Sequence, residues 1–236
     1  MTDPLTMSAC CLPDYRDVVP VIRCAGRWLS QIAPETAMAE TVGGFIRRRF
    51  LQAYGAEPAL RIPALLALTT AQGSLLAAVG VRNAGRERLF LEDYLPVQVE
   101  AVMPVSGIER HKIAEIAHLA GVEAGVSRYL FASLSVWLAS AGYEWVVCTG
   151  TGQLSNSFHR LGIVTQVLAD ADPARLPDRG AGWGRYYDYH PMVMAIKVSD
   201  GLAALRQAGL LRLIQPVAPA VDAPDAAEEG AYGRLA

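Results

Sequence analysis

The chain has 236 residues, 52% of them hydrophobic and 19% charged, with a formal net charge of −2 and a pI of about 6.1. That length suits one domain or one domain plus an extension, with enough apolar side chains for a sizeable core. A near-neutral balance excludes a global pull toward nucleic acid or an anionic membrane surface.

The N-terminus, Met1 to Thr6, has no basic region followed by an apolar one, so no secretory signal is expected. No apolar run reaches the roughly 18–20 residues that a transmembrane helix needs. The four cysteines, Cys10, Cys11, Cys24 and Cys148, form no C-x-x-C and have no zinc-like His spacing. They read as free thiols of a reducing compartment, which makes a cytoplasmic location the expectation and no metal an expected cofactor.

Residues 1–34 are punctuated by Pro4, Pro13, Pro20 and Pro34 and read as an extension, with an edge strand at Val18–Ile22. Glu35–Tyr54 has the helical period, with Val42, Phe45, Ile46, Phe50 and Tyr54 on one side and Gly55 as its stop. Ala64–Thr70 and Ser74–Arg82 flank Gln72-Gly73 as a hairpin. Arg88–Tyr94 is a third strand candidate, Val97–Met103 a short helix, and Ile113–Ala120 a buried strand.

Ser127–Ala141 is the best helix, with Leu130, Leu134, Trp137 and Leu138 on its apolar face and Gly142 as its stop. Trp145–Thr149 is a strand, Leu154–Leu161 a short helix, and Ile163–Leu168 and Pro191–Val198 further strands before a helix at Leu202–Leu210. Residues 35–214 form the expected domain, and 215–236, rich in Ala, Pro, Asp and Glu, an expected disordered tail. This order predicts an α/β fold, a mixed and mostly antiparallel central sheet with helices on both faces, with a parallel crossover at strand–helix–strand 113–149.

An acid on a central strand (Glu115), a helix from Arg128, the strand Trp145–Thr149 and the turn Leu161-Gly162-Ile163 resemble, in that order, the GNAT acyltransferases. Within that superfamily they resemble the acyl-homoserine-lactone synthases. More specifically, the chain looks like the thermostable hemolysin family. The pieces are Leu89 to Leu95, Glu115 to Ala120, Ser127 to Phe131, Trp145 to Thr149, Asn156 with Arg160-Leu161-Gly162, and Trp183-Gly184 with Tyr186-Tyr187. They span about residues 40–200.

The resemblance implies transfer of an acyl group from an acyl-CoA or acyl-phosphopantetheine carrier to an amine of a small metabolite. An acyl carrier protein is then an expected partner, with Arg47-Arg48-Arg49 as a docking run; such a run is also an ordinary solvated face. Two departures stand out. The family carries Asn where this chain has His118, which bears on proton handling. The acetyltransferase pyrophosphate loop is only partly kept in Gly121 to Arg128.

Amine acylation needs a free-base amine, a placed thioester and a stabilised oxyanion. Glu115 lies in an apolar strand, where a carboxylate is paired or functional, and is the expected base or amine orienter. His118 would point to the opposite face in a regular strand, and a bulge would bring it back. Gly121, Gly125, Ser127 and Arg128 are expected to hold phosphate at a helix start.

Asn156 caps its helix or bonds the pantetheine arm. Acetyltransferases often place a tyrosine acid in that short helix. Here only Phe158 and His159 stand near that place, which leaves water or His159 to protonate the leaving thiolate. One of Glu92 and Asp93 would bind the substrate ammonium, and Trp183, Tyr186 and Tyr187 would wall an acyl channel or simply pack. Rival readings are a membrane-active hemolysin and a non-catalytic acyl- or CoA-binding module.

Overall fold

The computed structural model describes residues 17–60, 64–122 and 125–217. Nine strands form a single sheet: β1 (Val18–Cys24), β2 (Arg27–Ile32), β3 (Ala64–Thr70), β4 (Leu75–Asn83), β5 (Ile113–Gly121), β6 (Trp145–Gly150), β7 (Gln166–Asp170), β8 (Met192–Lys197) and β9 (Ile214–Pro216). Their order is β7-β8-β6-β5-β4-β3-β2-β1-β9. Among the described residues only β5 and β6 pair in parallel. Every other neighbouring pair runs antiparallel. The expected mixed, mostly antiparallel sheet is therefore present.

Helices cover both faces. On one, α1 (Ala37–Tyr54) packs Val42, Phe45, Ile46 and Phe50 against β2 to β5. Thr36 caps its start by accepting the Ala39 N–H at 3.2 Å. At its end Gly55, at φ 65°, donates its N–H to the Leu51 carbonyl. On the other face lie α3 (Val126–Ser140) and α5 (Val198–Gln207), whose Leu130, Leu134, Leu138 and Leu205 meet Ile116, Val146 and Ile196. Two shorter helices, α2 (Val99–Val102) and α4 (Gly152–His159), complete the order.

Three stretches differ from the sequence reading. β2 was not expected. It joins β1 through Ala25-Gly26, both at positive φ (48° and 74°), a tight hairpin turn whose alanine gives no Asn-Gly signal. The stretch 1–34 thus contributes two strands to the sheet. β9 pairs with β1 and takes in the first two residues of the expected tail; 218–236 and the residues before Asp17 lie outside the described residues.

The third difference is Arg88–Tyr94. Its consecutive Leu89, Phe90 and Leu91 look like a buried strand, yet Phe90–Asp93 is a single 3-10 turn. Its backbone donors go to two buried carboxylates instead of a neighbouring strand. Glu115 accepts Phe90 and Leu91, and Glu92 accepts Leu89 and Val99. Side-chain acceptors compete here with a sheet ladder and win.

Candidate active site

Two irregularities in β5 make the site. The first is a splay. Its parallel ladder with β6 ends at Ile116↔Cys148, although the strands run on to Gly121 and Gly150. The second is a bulge. Ala78 faces Ala120 and Gly80 faces Ala117, so His118 and Leu119 stand against Val79 alone. His118 takes φ 52°, a left-handed conformation uncommon outside glycine.

The bulge decides which way His118 faces. Its ring lies among Phe50 of α1, Phe90 and Trp183, at centroid distances of 6.0–6.2 Å. Glu115 meets Phe90 and Leu91 on that same face. The regular-strand expectation of opposite faces is therefore corrected by one inserted residue.

A cavity of about 470 Å³ opens over this splay. Glu115 and His118 form part of its floor, Phe50, Tyr54, Phe90, Tyr94, Trp183 and Tyr186 an aromatic wall, and Gly121, Gly125 and Ser127 the side where α3 begins. Gly125, at φ 94°, is the residue before α3, and no side chain caps that helix start. The first N–H groups of a helix have no intrahelical acceptor, so this end favours an anion.

Arg49 and Arg160 stand at the same cavity. Arg49 also donates to the Val122 carbonyl at 3.3 Å, which ties α1 to the end of β5. A narrow apolar pocket of about 60 Å³ continues from the cavity between the sheet and α3, α4 and α5. The two share Ile116, Leu119, Phe131, Thr149 and Leu154. Thr149 stands at the junction, and its Oγ1 is buried with no hydrogen-bond partner among the described residues.

Glu115 is 1% exposed. Its Oε2 accepts the Phe90 N–H and its Oε1 the Leu91 N–H, both at 2.8 Å, and Arg82 lies 3.7 Å away. Burial pushes its carboxyl up to about 7, against the pull of those two N–H groups and Arg82. His118 is 7% exposed, and neither ring nitrogen has a partner among the described residues. Burial, helped by Arg82, holds its imidazole down at about 4, so it is neutral at physiological pH.

The structure brings Glu115, His118, Trp183, Gly121, Gly125 and Ser127 to one cavity; Glu123 and Ala124 of the expected phosphate loop lie outside the described residues. It does not bring the others there. Glu92 is buried in its own network, accepting two N–H groups and pairing with Arg110 at 2.8 Å. Burial pushes its carboxyl up, but Arg110 and the Val99 and Leu89 N–H groups outweigh that and hold it below its ordinary range. Asp93 pairs with Arg88 at 2.8 Å.

Asn156 and His159 lie exposed on α4, whose cap residue is Thr151, so neither faces the cavity. Tyr187 supports the wall from behind through a 2.7 Å hydrogen bond with Tyr94. Arg128 is exposed and outside the cavity lining; its guanidinium lies between the Tyr129 ring and Gly125, at the start of α3 and beside the cavity.

Tyr186, expected in the wall with Trp183, is there, whereas sequence reasoning missed Phe50, Tyr54, Tyr94, Thr149 and Arg49 as cavity residues. The helical period of α1 does place Phe50 and Tyr54 on the buried face. Only the bulge and splay under that face turn it into a cavity wall. Thr149 carries no sequence signal, because where a ladder ends depends on its partner strand.

Several solved structures share this fold. BjaI, a CoA-dependent acyl-homoserine lactone synthase solved with SAM and isopentyl-CoA, aligns with TM-score 0.56 at 14% identity over 87% of this chain and 96% of that one. The acyl-homoserine-lactone synthase LasI aligns with TM-score 0.54 at 11% identity, over 80% and 96%. FeeM, an N-acyl amino acid synthase from uncultured soil microbes, aligns with TM-score 0.50 at 14% identity, over 73% and 92%. At these identities the likeness is one of fold, the GNAT-like arrangement expected from the order of elements.

No curated protein matches by sequence. The family model described as thermostable hemolysin matches residues 32–202, most of the chain, and the protein belongs to that family.

Proposed function

We propose that this protein is an N-acyltransferase that moves an acyl group from a phosphopantetheine thioester, carried by CoA or by an acyl carrier protein, to the amine of a small metabolite. The observation that carries this reading is the splay of β5 from β6 beside a 470 Å³ cavity that narrows into an apolar pocket. Strand edges that leave their ladder present backbone N–H and C=O groups to a ligand. A pantetheine arm, with its two amides, is a ligand that can meet them.

The donor's phosphate then lies at the start of α3, with Arg49 and Arg160 beside it. Its acyl chain enters the narrow pocket between Leu134, Leu138 and Phe158, a slot that suits a slim alkyl chain. The thioester carbonyl falls near Thr149, whose unmet hydroxyl suits a carbonyl oxygen. The acceptor approaches from the aromatic wall, which favours an amine with an apolar flank. Glu115 holds the Phe90–Asp93 turn beneath that amine, and its charge attracts an ammonium.

The relatives in fold named above support this reading, because they are synthases whose names specify CoA, acyl groups or amino acids. Among the described residues no helix is long and apolar enough to cross a membrane. Lysis by family members follows, in this proposal, from an amphiphilic amide product. The test is thiol release from acyl-CoA and from acyl-carrier protein with pooled amines. Amine-dependent release is expected. No release from any donor, together with lysis by the protein alone, would overturn the proposal.

A further inference from the structure

Glu115 and His118 share one cavity but are engaged differently. Both Glu115 oxygens already accept backbone N–H groups that fix the Phe90–Asp93 turn. Protonating that carboxylate in each turnover would weaken the bonds that shape the site. His118 is held just as deeply, yet its ring nitrogens meet nothing among the described residues. Its neighbours are Trp183, stacked at 17° between ring planes, and the rings of Phe50 and Phe90, none of which offers it a hydrogen bond.

The cost is double: a buried polar ring without partners, and a left-handed φ of 52° on the bulge. An apolar wall would need neither. The balancing gain must come from a ligand in the cavity, and the chemistry of that ligand follows from the ring. A neutral imidazole offers one lone pair and one N–H. An attacking amine needs a lone-pair acceptor for its proton, and a departing thiolate needs a donor.

We infer that His118, rather than Glu115, takes the proton from the acceptor amine and returns it to the leaving sulfur. The inference rests on the N-acyltransferase reading. The amine nitrogen attacks the thioester carbonyl carbon and forms the C–N bond. Its proton passes to the free imidazole nitrogen as the tetrahedral intermediate forms. The C–S bond then breaks, its electron pair leaves on sulfur, and the imidazolium hands the proton to that sulfur. Amide and free thiol result, and the imidazole ends neutral.

One group thus serves as base and then acid, so the absence of a tyrosine on α4 is no obstacle. The groups that face this ring or line its cavity with ionisable character are Arg82, Glu115, Arg49, Arg160 and the phenols of Tyr54, Tyr94 and Tyr186. Burial and Arg82 both keep the imidazole unprotonated, so its lone pair is available from mildly acidic pH upward. The acid limb of the rate then follows ionisation of the amine substrate, not a group near 6.5.

The experiment compares the full-length wild type with His118→Asn, His118→Gly and Glu115→Gln, with and without added imidazole. Asn and Gly both tolerate the left-handed backbone. Loss of a general base is expected to lower kcat by about 100-fold, with the KM for the thioester unchanged. Free imidazole should restore His118→Gly by at least about tenfold, a rescue that no packing role predicts. Glu115→Gln should keep more of its kcat than either His118 variant.

Turnover within threefold of wild type in both His118 variants, or no rescue of an inactive but folded His118→Gly, would overturn the inference. Wild type that releases no thiol with any amine would instead overturn the acyltransferase reading itself. The two failures are thus distinguishable.

Discussion

Two adjoining regions of the molecule treat buried polar groups in opposite ways. Around Glu92 every demand is met: its carboxylate accepts Leu89 and Val99 and pairs with Arg110, which also pairs with Glu100 and donates to Ala84. Around His118 and Thr149 an imidazole and a hydroxyl are buried without partners among the described residues. The first arrangement is what a fold needs, since an acid in an apolar core is tolerated only when satisfied. The second is what a site needs, since groups already satisfied have nothing left for a substrate. Both regions are acidic or polar in sequence, and only the accounting of partners separates them.

The largest expected effect falls on the satisfied side. Glu92→Ala removes the acceptor of two N–H groups and strands Arg110, at a cost of about 3 kcal/mol, or a fall of roughly 6–12 °C in Tm. Calorimetry checks this, and turnover per folded molecule should be unchanged. An equal loss of turnover and of Tm would erase the distinction between the two regions.

Glu115 belongs partly to each region, and its pH response sharpens the comparison. Its folded pKa, about 7, lies above the ordinary carboxylate value. The stability it contributes is therefore full below that ordinary value and is lost as pH rises through about 7. Glu92 has the opposite sign: its depressed pKa gives stability present at neutral pH and lost as pH falls through the folded value. The stability gap between wild type and Glu115→Gln should thus shrink from pH 5 to pH 8 by about 2 kcal/mol in denaturant titrations. A gap that widens would show Glu115 to be a purely structural anion like Glu92.

The smallest effect concerns specificity. Leu134→Phe fills the narrow pocket without touching Glu115 or His118. It should shift kcat/KM toward shorter acyl chains by about tenfold, measured over a series of thioesters. An unchanged series would place the acyl chain elsewhere.

Much of the fold is legible in the sequence because its signals are local. The β3–β4 hairpin follows from Gln72-Gly73, and α3 from its apolar stripe and the glycine after it. What is not legible depends on partners. The segment at Phe90 has strand composition but gives its donors to Glu115, twenty-five residues away. The bulge that turns His118 into the cavity exists only against Val79 of β4. Glu92 and Glu115 are both acids in apolar runs, and nothing near either in sequence tells which one Arg110 will claim. Which face of the short α4 meets the cavity is likewise set by a distant partner, Phe131 against Phe158, and that packing leaves Asn156 and His159 exposed.

The most direct test is mass-spectrometric detection of amide product from wild type, His118→Asn and Glu92→Ala side by side, each with acyl-CoA or acyl-carrier protein and pooled amines. The account predicts product from wild type and from folded Glu92→Ala, and almost none from a His118→Asn that is as stable as wild type. Wild type without product, or the same loss in both variants while both stay folded, would contradict it.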